Sequence, residues 1–464
     1  MACNLIIIAS SLILLIAILI YCNKRWDRFN IIDLYLAFVG LHFGVSPFIK
    51  ALLEDYSQAY PLAIILTFSQ IYIILGIIGI VSAFLPENLK NELEIRYLFQ
   101  KWAGISPVAL WALLGIIFFI QALGYWKYNI ISHVDQEGLA RIGKKLPYWF
   151  FSELTLLNDF IFCAFIGLAV KIIEVKGRGR KFLVMPLMLL LAVAAIYGRR
   201  LVISLALMGI ILWFIRKERN VFQFKYLKIF FIMAAALFIF SNIFQAYRGV
   251  LQFPPYVKFD ELKNPLAAAL DIYATLKNIK ERPAPWEFNY AIFFGQLSGL
   301  GGEVPYGTLL WQGIKNSVPG IFWKNKTVRN LNNLTASRFG FQVKDYAKNN
   351  FGFAQADFGY FSLILMPITM ITIFIIMALI IKLTTRQPLL LWLLSGIILN
   401  YLTNIEQNEG DVIILFRNIM LFSMVYGAGY FLLKILDDLQ RNLKLRTATS
   451  PVGVPDCHND KQER

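Results

Sequence analysis

Apolar residues gather into long uninterrupted runs separated by short charged stretches, with no sustained alternation of the kind a strand would need. A helix crossing a membrane takes about 20 apolar residues. On that measure the chain predicts eleven spans, near 4–22, 31–53, 61–85, 105–124, 149–172, 183–197, 201–215, 228–247, 361–383, 388–405 and 412–434. The spans 183–197 and 201–215 are short for the thickness, and Arg199 and Arg200 stand between them with almost no loop. Either those helices extend past the arginines or the pair turns tightly at the membrane surface. Between the eighth and ninth spans lies 249–360, too long to be a plain connection, so it is expected to be partly folded and functional. Within it, Asn264-Pro265 followed by Leu266, Leu270, Tyr273, Leu276 and Ile279 carries a helix start and a helical stripe. Segments 287–298 and 305–317 predict two short helices about the turn Gly299-Leu300-Gly301-Gly302.

The expected architecture is therefore an all-α polytopic membrane protein. It has a bundle of about eight spans over 1–248, a large partly helical external loop over 249–360, three further spans over 361–434 and a polar tail over 435–464. Internal repeats, coiled coils and low-complexity tracts are absent from the sequence. Composition agrees: of 464 residues 58% are hydrophobic and 16% charged, against about 25% charged in a soluble domain.

The net charge of +16 changes the picture only through its placement. Basic clusters follow the odd-numbered spans: Lys24, Arg25 and Arg28; Lys90, Arg96 and Lys101; Lys176, Arg178 and Arg180; Arg216, Lys217 and Arg219; Arg441, Lys444 and Arg446. Under the positive-inside rule this sets the N-terminus outside and the tail in the cytoplasm. No basic residue precedes the first run, which reads as an anchor and not as a cleaved signal. The excess thus speaks for membrane topology and anionic lipid, not nucleic acid. Cys3, Cys22, Cys163 and Cys457 form no CxxC pair, and His42, His133 and His458 are scattered, so neither a metal nor a cofactor is expected.

On this topology some cations fall on the wrong side. Arg199, Arg200 and Arg248 stand at outer span ends and Arg141 in the external loop 125–148. A guanidinium at headgroup depth suits a lipid-linked diphosphate through bidentate donation; snorkelling or a salt bridge would serve structure alone. In the long loop Lys324, Lys326, Arg329 and Arg338 mix with Trp286, Trp311, Trp323 and many other aromatics, which suits sugar rings and an interfacial belt equally. Candidate general bases are Asp345, Glu303, after the flexible Gly301-Gly302, and Asp357, where the loop re-enters the membrane. The structural alternative for Asp357 is an N-cap on the ninth span. Asp159 and Arg417, inside spans, are expected to form a structural pair or to involve Asp411.

This layout resembles the bacterial O-antigen polymerase (Wzy-type) family of oligosaccharide repeat-unit polymerases. The likeness rests on Tyr197-Gly198-Arg199-Arg200, Tyr247-Arg248, Pro319 to Lys326 and Ala356-Asp357-Phe358-Gly359, in that order over roughly 100–434. Arg329 and Gly340 keep an Arg-x10-Gly spacing known in some members, though the earlier loop lacks its counterpart. The resemblance implies a C-type glycosyltransferase architecture in the bacterial inner membrane. It implies transfer of a growing glycan from one undecaprenyl diphosphate to a second lipid-linked repeat unit, without metal and often with a chain-length regulator protein. Arg199, Arg200, Arg248 and Arg141 would bind diphosphate, Lys324, Lys326, Arg329 and Arg338 would assist, and Asp357 or Glu303 would be the base. O-antigen ligase is the near alternative, weakened because no histidine falls between 134 and 457. A transporter of lipid-linked sugars is the distant one; transporters usually show internal repeats and midplane polar groups.

Overall fold

A computed structural model describes residues 2–124, 126, 148–175, 179–197, 199–226, 232, 284–300, 306–318, 323, 331–340, 349–404 and 409–448. Among the described residues all regular structure is helical, apart from one isolated bridge between Asn30 and Glu94. The helices are α1 (Ala2–Arg25), α2 (Ile31–Leu53), α3 (Pro61–Phe84), α4 (Glu87–Glu92), α5 (Ile95–Ala103), α6 (Pro107–Leu123), α7 (Tyr148–Glu174), α8 (Gly179–Tyr197) and α9 (Arg199–Arg216). They continue as α10 (Pro285–Leu297), α11 (Thr308–Ser317), α12 (Leu331–Phe339), α13 (Asn350–Phe358), α14 (Ser362–Thr384), α15 (Pro388–Thr403) and α16 (Glu409–Ala448). The chain forms two compact units, Met1–Asn418 and Ile419–Arg464.

Six described helical stretches are long and apolar enough to cross a membrane, and a seventh joins them if α5 and α6, bent by 96° at Gly104-Ile105-Ser106, count as one. The expected helices at ten of the eleven sites are present; the eleventh, 228–247, lies outside the described residues except for Ile232. Length separates them. Helix α15 has 16 residues, a rise of about 24 Å against a hydrocarbon core of about 30 Å. Leu5, Ile13, Phe84, Phe119 and Met185 are exposed along these helices, as side chains facing lipid would be and those of a soluble bundle would not. Helix α16 continues through 434 to Ala448, in a stretch where no glycine or proline interrupts it after Gly429.

Local chemistry sets the bundle's geometry. Asn30 starts α2 by accepting from Ile32 N (2.9 Å) and Asp33 N (3.1 Å), while Asp33 Oδ2 accepts from Asn30 N (3.0 Å). The other oxygen of Asp33 takes Arg25 Nε (3.0 Å) and the Tyr21 hydroxyl (2.9 Å), closing α1 onto α2. Gly40 and Gly44 let the two helices approach, since a Cβ at either would stand 2.5 Å from Ile18 or Leu15.

Helices α10 to α13 belong to the long loop and share a small core of Phe288, Ile292, Leu309, Leu331, Phe339, Phe353 and Ala356. The described part of the loop is therefore folded, and it includes α12 and α13, which the sequence pattern does not predict. Buried charge roots it in the bundle. Lys50, near the end of α2, donates to Glu287 Oε1 (3.2 Å) and Oε2 (3.1 Å) and pairs with Glu54 (3.2 Å). The Tyr56 hydroxyl lies 2.6 Å from Glu287 Oε1 and 2.7 Å from Glu54 Oε2. Deeper in, Gln70 of α3 donates to Phe351 O (3.0 Å) and accepts from Asn289 Nδ2 (3.0 Å). Gln355 Oε1 accepts from Ser362 Oγ (2.8 Å), and Gln355 Nε2 donates to Gln296 (2.9 Å).

Candidate functional site

The described part of the loop centres on α11. Its start requires Gly307 in the left-handed region (φ 98°), and the two amides that follow Thr308 point at a carboxylate from another helix. Asp357 Oδ1 accepts from Leu309 N and Oδ2 from Leu310 N, both at 3.0 Å, and Asp357 is fully buried. Gly359, also at positive φ (55°), follows α13 directly, in a conformation that favours glycine. Asp357 thus caps a helix, but the helix is α11 and not the span that follows it. Both oxygens are engaged and none of the residue reaches solvent, an arrangement suited to holding a helix more than to meeting a sugar hydroxyl.

Beside it, Arg338 on α12 is half-buried and lies over the Phe339 ring at 5.6 Å. Partial burial lowers its pKa from the ordinary value, and the Asp357 charge opposes that shift. On the outer face of α11, Trp311 is 52% exposed and meets Trp323 at a centroid separation of 6.2 Å and 60°. Lys315 Nζ lies 5.6 Å from the first ring and 5.9 Å from the second. Two inclined indoles with a cation between them can pack on the apolar face of a sugar ring and attract an acidic group.

At the other end of α11, Arg417 Nη1 of α16 donates to Ser317 O (3.3 Å). Arg417 does not pair directly with Asp159. Its Nε (3.3 Å) and Nη2 (3.1 Å) donate to Asn418 Oδ1, and Asn418 Nδ2 donates to Asp159 Oδ2 (2.9 Å). Asn400 Nδ2 completes the set on Asp159 Oδ1 (2.7 Å). The expected pair exists with one amide between its charges.

The remaining sequence candidates are not brought together by the described coordinates. Helix α8 ends at Tyr197 and Arg199 and Arg200 are the first residues of α9; residue 198, on which the choice between extended helices and a tight turn depends, and the two arginine side chains lie outside the described residues. Arg141, Arg248, Glu303, Lys324, Lys326, Arg329 and Asp345 also lie outside them. Among the described residues no group of three or more His, Cys, Asp or Glu could hold a metal ion. Sequence reasoning overlooked Lys50, Gln70 and Lys315. The first two carried a usable signal, since a lysine and a glutamine inside apolar runs require partners. The chain matches no protein-family model, no curated protein and no solved structure.

Proposed function

We propose that this protein is a membrane glycosyltransferase that polymerises undecaprenyl-diphosphate-linked oligosaccharide repeat units at the outer face of the bacterial inner membrane. On this reading it has eleven spans, an outside N-terminus and a cytoplasmic C-terminus. The observation that carries the proposal is the folded loop itself. It is rooted in the bundle through Lys50 and Glu287, and it presents Trp311, Trp323 and Lys315 outward. Arg199 and Arg200 add support, since two adjacent guanidinium groups suit phosphate oxygens.

In the reaction, the acceptor hydroxyl oxygen bonds to the donor's anomeric carbon while the anomeric carbon–oxygen bond breaks. The electron pair leaves on the lipid diphosphate, and the hydroxyl proton passes to a carboxylate. Arg199, Arg200 and Arg248 would stabilise the leaving diphosphate, each such contact being worth about 3–4 kcal/mol by analogy with a single oxyanion donor. With Asp357 committed to α11, Glu303 is the carboxylate proposed as base. The loop's aromatic face would orient the acceptor sugar.

The test is size-resolved glycan analysis of a deletion strain complemented with wild-type, Arg199→Ala or Trp311→Ala chains. The proposal expects a single repeat unit in the deletion, a restored ladder with wild type and loss of the ladder with Arg199→Ala. An unchanged ladder in the deletion overturns it. Buried Asp159 and its amide-linked Arg417 favour transport as the second reading, which that unchanged ladder would bring forward.

A further inference from the structure

Helix α11 is held at both ends by charges that it does not itself supply. Its amino end, where the helix dipole is positive, receives the Asp357 carboxylate from α13; its carboxyl end, where the dipole is negative, receives the Arg417 guanidinium from α16. Each charge has the sign the dipole favours. The helix needs such help. It has ten residues, below the roughly 12–15 at which even good helix formers hold in water, and it contains Gly313. Leu309 is buried in the loop core, while Trp311 projects outward.

The route from Arg417 back into the bundle has a specific construction. Because Arg417 donates twice to Asn418 Oδ1, the Asn418 amide is oriented so that its NH2 faces Asp159. A direct Arg417–Asp159 bridge would draw the guanidinium into the bundle. The intervening amide balances the buried carboxylate at one remove and leaves Nη1 directed at Ser317 O on the loop. A continuous polar path therefore runs from Asn400 and Asp159 through Asn418 and Arg417 to one end of α11, with Asp357 at the other.

We infer that Arg417 and Asp357 are positioning residues that fix the ligand-facing helix α11 against the membrane bundle. The inference rests on the proposed function for what the helix faces, and on hydrogen-bond geometry alone for the clamp. Its value to a transferase is orientation, since a displacement of about 1 Å at a binding element can cost on the order of 10²-fold in rate.

The experiment is amide hydrogen exchange on the purified full-length chain in lipid nanodiscs, comparing wild type with Asp357→Asn, Arg417→Gln and Arg417→Lys. Asp357→Asn and Arg417→Gln are each expected to speed exchange across 308–317 by about tenfold or more, with α2 unchanged. Arg417→Lys, which keeps a cation at the carboxyl end, is expected to recover part of the protection. Unchanged exchange in α11 for both of the first two variants overturns the inference. Faster exchange in α2 as well as α11 for the lysine variant also overturns it, because Arg417 would then be a general prop of the fold. None of these readings requires glycan, so they stand apart from the deletion-strain result that tests the function.

Discussion

Replacing Lys50 by methionine should release the long loop from the bundle. The side chain of Lys50 is 5% exposed and that of Glu287 15%, so water screens their contact little. Lys50 Nζ meets Glu287 at 3.1 Å and Glu54 at 3.2 Å, one cation serving two carboxylates. Methionine has a similar volume but leaves both carboxylates without their positive partner. Removing one member of a buried pair costs about 3–5 kcal/mol, because the remaining charge stays desolvated. At about 1.4 kcal/mol per decade, that predicts exchange of α10 amides faster by between about 10²-fold and a few thousand-fold. Hydrogen exchange of the full chain in nanodiscs reads this directly over 285–297. Adding Glu287→Gln should restore most of the protection. The neutral amide can still accept from Ala284 N, as the Glu287 carboxylate does, and one carboxylate then remains where there were two. A change below threefold in Lys50→Met, or a double variant no better than the single, would refute the reasoning.

Three further outcomes are expected. Gly396→Ala should lower the melting temperature of the purified chain, since the new Cβ would stand 2.4 Å from Cys163 Sγ, and such overpacking costs about 1–3 kcal/mol; Cys163→Ala in the same chain should recover part of it. Burial, followed by the Glu287 and Glu54 carboxylates, raises the pKa of the Tyr56 phenol above its ordinary value, so the folded state keeps this proton longer than the unfolded one. Its contribution is whole below pH ~10 and declines above that, and Tyr56→Phe should flatten the alkaline rise in protease sensitivity of the loop; equal slopes in both chains would count against this. Gln70→Leu strands the Asn289 amide, at about 1–3 kcal/mol, and removes a second bond from the Phe351 carbonyl, and should speed exchange in α13 more than in α1.

The membrane helices were legible because burial in lipid demands one simple pattern. Apolar runs placed α2 at its observed bounds and α3 within a residue. The helix count fared less well as a count of crossings, since an apolar run of 16 residues shows that a helix is buried without showing that it spans. Inside the loop, α10 and α11 could be seen, whereas α12 and α13 could not. Leu331, Phe339, Phe353 and Ala356 face a core assembled from residues far apart along the chain, so no local stripe reveals them.

Asp357 shows the limit most clearly. Its capacity to cap a helix was evident from its type and position, but its target lies 48 residues earlier, on a helix that only the folded loop brings beside it. Charged residues within the spans obey the same logic. Each requires a partner, and only the fold decides whether that partner is another span or the loop. Asp33 and Asp159 are satisfied within the bundle, by Arg25 and Tyr21 in one case and by Asn400 and Asn418 in the other. Lys50 and Arg417 instead reach the loop, at Glu287 and at Ser317 O. The bundle thus settles its anions internally and directs these two cations toward the loop. That division ties the loop to the bundle at α10 through Lys50 and at the carboxyl end of α11 through Arg417; with Asp357 at its amino end, α11 has the two fixed points that a helix carrying a binding face needs to keep both its depth and its direction.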